Sequence, residues 1–179
     1  MDFIKSLSEK SKEIGYTNTG KVNVSDIEFD ETLRALCESN ACGKAGTNWC
    51  CPPGCGDYET LKNEILKFKS GLLVQKVYPL EDSFDIEGMQ DAHTDFDETF
   101  YKTVDYVDEA YDKDYYSLKA GSCKLCDKCT YPDNPCIHEK RARPSLEACC
   151  INVYLLCKSC DVPYINGKNT VSYVALFLF

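Results

Sequence analysis

Four cysteines recur at short intervals in the second half of the chain, with the spacing C-x2-C-x2-C-x6-C. They are Cys123, Cys126, Cys129 and Cys136. Three thiolates at steps of three residues can surround one inorganic cluster, and the spacing is typical of ferredoxin-type iron–sulfur ligation. Zinc is the alternative, since C-x2-C is its commonest half-site, but zinc sites usually pair two such half-sites across a gap. The spacing therefore favours an iron–sulfur cluster over zinc.

A second cysteine group lies in residues 37–56, a segment too rich in Gly and Pro to form regular structure. We expect bound metal to order this loop, because ligand bonds replace the missing secondary structure. This second site then needs four ligands. Cys55 is the nearest candidate in sequence for the fourth position, and Cys149 is the alternative. The expected ligands of this site are Cys37, Cys42, Cys51 and Cys55. Cross-ligation between the two groups is a further option, as in two-cluster ferredoxins.

The remaining cysteines carry weaker signals. Cys150 follows Cys149 in an apolar stretch and is expected to be a small buried hydrophobic residue. Cys157 and Cys160 form one C-x2-C pair, which could be a redox pair or a zinc half-site. A single C-x2-C pair does not distinguish between these two roles.

Length and composition predict one domain, residues 1–179, with 44% hydrophobic and 27% charged residues. The sequence has no run of eighteen apolar residues, so we expect no membrane span. The first residues lack the basic start and apolar stretch of a signal peptide, so we expect a cytoplasmic protein. In a reducing compartment the thirteen cysteines should be thiolates available to metal, and an odd number cannot all pair as disulfides.

The net charge of −9 is concentrated in one segment. Residues 81–114 hold thirteen acids and two lysines, a net charge of −11, so the rest of the chain carries +2. An acidic chain without a basic stripe is a poor candidate for binding nucleic acid. The acidic segment is expected to be a solvated helix face, and it could also dock a basic redox partner.

Hydrophobic periodicity predicts helices alternating with a few strands. The predicted helices cover 3–14, a short segment before Cys37, 57–70, 91–115 and a segment that begins at Ser145, runs through Leu156 and ends in Cys157–Cys160. The predicted strands cover 16–24, 72–78, 116–120 and 170–179, with the last one beside 72–78. The expected fold is therefore α/β or α+β, a small sheet with helices and two cysteine-rich loops.

Three motifs occur in order along nearly the whole chain. The first is Cys37-x4-Cys42-Gly followed by Trp49-Cys-Cys-Pro-Pro, and the second is Ala-Gly-x-Cys123-x-Leu-Cys126-x2-Cys129-x-Tyr-Pro-x3-Cys136. The third is Arg143-Pro-Ser-x-Glu147-Ala-x2-Ile-x-Val. With these motifs the chain resembles a family of predicted metal-binding proteins of unknown function that is common in anaerobes.

The resemblance implies metal binding through cysteine and an iron–sulfur content, but no reaction. It implies metal roles for the following cysteines: Cys37, Cys42, Cys51, Cys123, Cys126, Cys129 and Cys136. Cys50, Cys55 and the Cys157/Cys160 pair depart from the family pattern as additions, and Cys150 stands where glycine is expected.

The sequence thus predicts an iron–sulfur protein with two 4Fe-4S clusters that transfers electrons to a protein partner. Full cysteine ligation would leave no open iron, which favours electron transfer. Two alternatives stay open: an enzyme whose cluster has an open iron that binds substrate, and an interaction module stapled by zinc.

Overall fold

A four-stranded antiparallel sheet organises the fold. The computed structural model describes residues 3–179, and Met1 and Asp2 of the predicted domain lie outside the described part. The sheet has the order β1-β2-β4-β3. Its strands are β1 (Asn18–Asn23), β2 (Ser70–Pro79), β3 (Tyr116–Lys119) and β4 (Thr170–Leu178). β2 and β4 pair along their whole length, which confirms the predicted pairing of the last strand.

The described residues form five α-helices: α1 (Phe3–Ile14), α2 (Thr32–Glu38), α3 (Tyr58–Ile65), α4 (Ile86–Ala110) and α5 (Val153–Ser159). Helices and an antiparallel sheet in one layered fold make the class α+β, as predicted. Within residues 3–179, no helix combines the length and the apolar composition that crossing a bilayer requires.

The sheet is buried on both faces, so β2 reads as a nearly continuous apolar run. On one face, α1 and α4 cover the sheet. The aromatic stripe of α4 packs there, and Phe96, Phe100 and Val107 are at most 1% exposed. On the other face, α3 and α5 pack with Leu118 and Leu176. One cysteine-rich loop joins α2 to α3, and the other follows β3.

Several element boundaries differ from the prediction. α3 ends at Ile65 because the chain turns there and β2 already begins at Ser70. α4 begins five residues earlier than predicted, because Asp85 caps it by accepting a hydrogen bond from Gly88 N. Glu87 therefore lies in the first turn of the helix.

The predicted helix that begins at Ser145 is wrong in its first half, whereas its end at Cys157–Cys160 matches the structure. Residues 146–150 form turns, and the helix covers only Val153–Ser159. Cys150 has φ +59, which interrupts helical geometry and explains why glycine is expected there. Ile151 then forms an antiparallel bridge with Phe29, and Asn152 caps α5 by accepting from Leu155 N.

Candidate metal centres

The first cysteine group surrounds a cavity of about 520 Å³. Cys37 reaches it from α2, Cys42 from the turn that follows, and Cys51 from the end of the loop. The loop is folded by local contacts, because Gly46 N donates to Pro52 O at 2.8 Å and Asn48 Oδ1 accepts from Cys50 N at 2.9 Å. The structure thus brings three of the four predicted ligands of this site to one cavity.

Cys55, the fourth predicted ligand, has a different environment. Arg34 Nη1 donates to Cys55 Sγ at 3.6 Å and to Ala148 O at 3.2 Å, while Nη2 donates to Gly56 O at 2.7 Å. The Cys55 side chain packs against the apolar core that contains the fully buried Cys149. Neither Cys55 nor its rival Cys149 lines the cavity of the first group.

The second cysteine group lies between β3 and a run of turns ending near residue 142. Its members line one small cavity of about 20 Å³: Cys123, Cys126, Cys129 and Cys136. Internal hydrogen bonds shape the loop, since Thr130 Oγ1 donates to Pro135 O. The backbone N–H of His138 donates to Cys136 Sγ at 3.4 Å. All four predicted ligands of this group therefore share one site.

Cys50 joins the second group, although the sequence interpretation gave it no role. It is 4% exposed, lines the same small cavity and interacts with the Cys123 thiol. This interaction lowers the pKa of Cys123 to about 6, because the Cys50 thiol stabilises the Cys123 thiolate. The pKa of Cys50 is raised correspondingly. The Cys50-Cys51 dipeptide was the available signal, since adjacent residues can face different sites.

The two cysteine-rich loops contact each other directly. The Trp49 ring lies edge-on to Tyr131 with centroids 4.9 Å apart, and Trp49 Nε1 donates to Asn134 O at 3.1 Å. A side chain at Gly54 would meet Tyr131 at 2.9 Å and Asn48 O at 2.6 Å, so only glycine permits this approach. Trp49 is partly exposed and covers the second loop; it is not a core residue.

A buried ionic group lies beneath the second loop. Lys119 Nζ is 2.7 Å from Asp97 Oδ1, and the two side chains are 7% and 10% exposed. Lys119 Nζ also donates to Ser122 O at 3.1 Å, which ties the start of the loop to α4. His93 lies within α4 and lines the first cavity. Burial lowers the pKa of His93, and Gly121 packs against its ring.

Burial raises the pKa values of two thiols at the first site, Cys37 and Cys51. Burial, and then the nearby carboxylate of Glu147, raise the pKa of Cys37 to about 11. Burial also raises the pKa of Cys51. Thiols in this state ionise only when a cation compensates the charge, and a metal supplies that compensation when it binds.

Three further cysteines lie outside both sites. Cys150 is fully buried, as expected of a small hydrophobic residue. Cys157 and Cys160 lie at the end of α5, where burial raises their pKa values to about 12 and 11. The Cys160 thiol donates to Leu156 O at 3.2 Å, and Gly20 of β1 packs against it. This environment fits a structural pair, because a reactive thiol needs a lowered pKa.

The donor atoms fit a metal group bound through sulfur. Within residues 3–179, no three His, Cys, Asp or Glu side chains converge closely enough to hold one metal ion. The cysteines instead line cavities, three at the first and five at the second. The first cavity has room for a group of several atoms.

An α+β fold that carries two cysteine-lined cavities defines a cysteine-rich metal-binding protein. Residues 20–179 match the family model described as predicted metal-binding protein (DUF2284), and the chain belongs to this family. Searches of curated proteins and of solved structures give no match to this chain.

Proposed function

We propose that this protein holds two 4Fe-4S clusters and transfers electrons to a redox partner protein. Cys123, Cys126, Cys129 and Cys136 hold one cluster. Cys37, Cys42 and Cys51 hold the other, and Cys55 is the fourth ligand that the sequence suggests. When bound, such clusters supply one-electron redox chemistry.

The position of Cys50 and Cys51 is the observation that carries this proposal. They are consecutive, yet Cys51 lines the first cavity and Cys50 lines the second. Two clusters in these cavities would be neighbours, because consecutive residues line the two cavities, and such closeness shortens the path for an electron. If metal ions only stabilised the two cysteine-rich loops, their sites would not need to be neighbours.

The electron partner would approach along α4. Exposed acids follow the solvent side of this helix, including Asp91, Glu98 and Glu109. Tyr101 on the same helix lies near Cys123, so the acidic face borders the second site. A basic partner surface would be attracted there, and its association rate would fall as salt screens the charges.

A second candidate function rests on the size of the first cavity. About 520 Å³ over three cysteines could admit a small substrate to an iron that lacks a protein ligand. In that case the protein would be an enzyme. The number of protein ligands at the first site decides between the two functions. Four ligands leave no open iron and favour electron transfer, whereas three leave one iron open for a substrate.

Electron paramagnetic resonance tests the two-cluster proposal. The anaerobically reconstituted protein is reduced with dithionite, and its spectrum is compared with those of Cys37→Ser and Cys126→Ser, each expected to retain one cluster. Neighbouring clusters give a wild-type spectrum broadened by spin–spin interaction. A wild-type spectrum equal to the sum of the two single-cluster spectra would contradict the adjacent arrangement.

A further inference from the structure

The first cavity is lined by a carboxylate as well as by thiols. Glu147 faces it together with Cys37, Cys42 and Cys51. Its Oε2 atom is buried and forms no hydrogen bond with any of residues 3–179. No ion pair of Glu147 occurs within the same residues, although Lys44 and Lys124 line the cavity too. A buried carboxylate oxygen without a partner is costly, so a cation at this point would stabilise it.

The turn that carries Glu147 holds it in place from both sides. Ser145 Oγ accepts from Ala148 N at 3.1 Å, and Cys149 N donates to Ser145 O at 3.0 Å. Arg34 Nη1 donates to Ala148 O and so fastens the turn to α2, the helix that carries Cys37. The carboxylate and the first thiol of the site therefore belong to one connected unit.

Cys55 is held away from this cavity by the same arginine. Its sulfur accepts from Arg34 Nη1, and its side chain faces the core beside Cys149. Moving Cys55 to the cavity would break the contacts of Arg34 with Cys55 and displace Gly56, whose carbonyl accepts from Nη2. Glu147 needs no such movement.

We propose that Glu147 is the fourth protein ligand of the first site. Carboxylate oxygen is an accepted ligand of iron and of zinc. The assignment rests on the proposed iron–sulfur function and completes it, because three thiolates and one carboxylate leave no open iron. A carboxylate exchanges more readily than a thiolate, so this corner is the one from which iron leaves first.

The test compares Glu147→Gln and Cys55→Ser in the anaerobically reconstituted full-length chain. After oxidation with ferricyanide, a four-iron cluster without its fourth ligand releases one Fe²⁺ and gives one electron to the oxidant. Glu147→Gln is expected to lose about one iron per chain and to gain the paramagnetic signal of a three-iron cluster. Cys55→Ser is expected to keep the wild-type iron content and spectrum.

Glu147→Cys distinguishes ligation from a structural role. A thiolate at position 147 should restore a four-iron cluster that is stable to ferricyanide, and it should lower the midpoint potential of that cluster relative to wild type. Unchanged iron in Glu147→Gln would overturn the proposal, and a three-iron signal in Cys55→Ser alone would give the ligand role to Cys55. Absence of iron from the wild-type protein would instead overturn the proposed function, so the two failures are distinguishable.

Discussion

The thiols of Cys50 and Cys123 line one small cavity and interact there, although they belong to different cysteine-rich loops. Cys50 is 4% exposed, and the next residue, Cys51, lines the other cavity. The contact fixes the position of one loop against the other. It therefore couples the geometry of the two proposed cluster sites.

Cys50 is predicted to position Cys123 without binding metal. Four cysteines of the second loop already supply full ligation, so Cys50→Ala should retain about eight irons per chain, whereas Cys126→Ala should lose about four. The midpoint potential of the second cluster should shift in Cys50→Ala, because one S–H donor to a ligand sulfur is lost. Iron analysis and potentiometry measure both effects, and loss of about four irons from Cys50→Ala would make Cys50 a ligand.

Metal removal should disorder the two loops selectively. Residues 37–56 and 121–136 contain little regular structure beyond the end of α2, so we expect their amide protection to fall in the metal-free protein. α3 and strands β2 and β4 belong to the packed core and should keep their protection. Hydrogen exchange of both forms is the measurement, and equal protection of the loops with and without metal would refute the prediction.

The buried Lys119–Asp97 pair should contribute strongly to stability. Lys119→Met leaves the Asp97 carboxylate buried without its cation, and we expect the free energy of unfolding to fall by about 3–5 kcal/mol. Lys113→Met is the control, because Lys113 is exposed and its replacement should change stability by less than about 0.5 kcal/mol. Denaturant titration compares the two. Equal effects of both variants would show that the ion pair is not what stabilises this region.

Cys157 and Cys160 should resist alkylation in the folded protein. Their pKa values, raised to about 12 and 11 by burial, leave roughly one thiolate in a thousand or fewer at pH 8. Because the raised values belong to the folded state, their contribution to stability is complete below about pH 8.5 and is lost as the pH rises toward 11–12. Mass spectrometry after iodoacetamide treatment at pH 8, with urea-unfolded protein as the control, checks this. Rapid modification of either residue in the folded protein would restore the redox-pair hypothesis.

Periodicity was sufficient to predict most of the fold. The apolar run of β2 and the aromatic stripe of α4 are strong local signals, and both match the structure. The helix predicted from Ser145 failed because a single backbone feature, the positive φ of Cys150, outweighs a favourable cap and an apolar pattern. A glycine in a sequence indicates that a positive φ is allowed at that position, whereas a cysteine gives no such indication.

The site was predictable only where ligands are close in sequence. The spacing of Cys123, Cys126, Cys129 and Cys136 was enough to expect one shared site. Cys50 and Glu147 come to their cavities from distant segments through tertiary contacts that no local spacing encodes. Sequence proximity also suggested Cys55, whereas its arginine partner lies in α2.

Metal and sulfide analysis of the protein purified without oxygen tests the central claim most directly. We expect a brown protein with broad absorption near ~400 nm, about eight irons and about eight acid-labile sulfides per chain. The measurement needs no variant and no partner. A colourless, fully folded protein with stoichiometric zinc and no labile sulfide would contradict the two-cluster account.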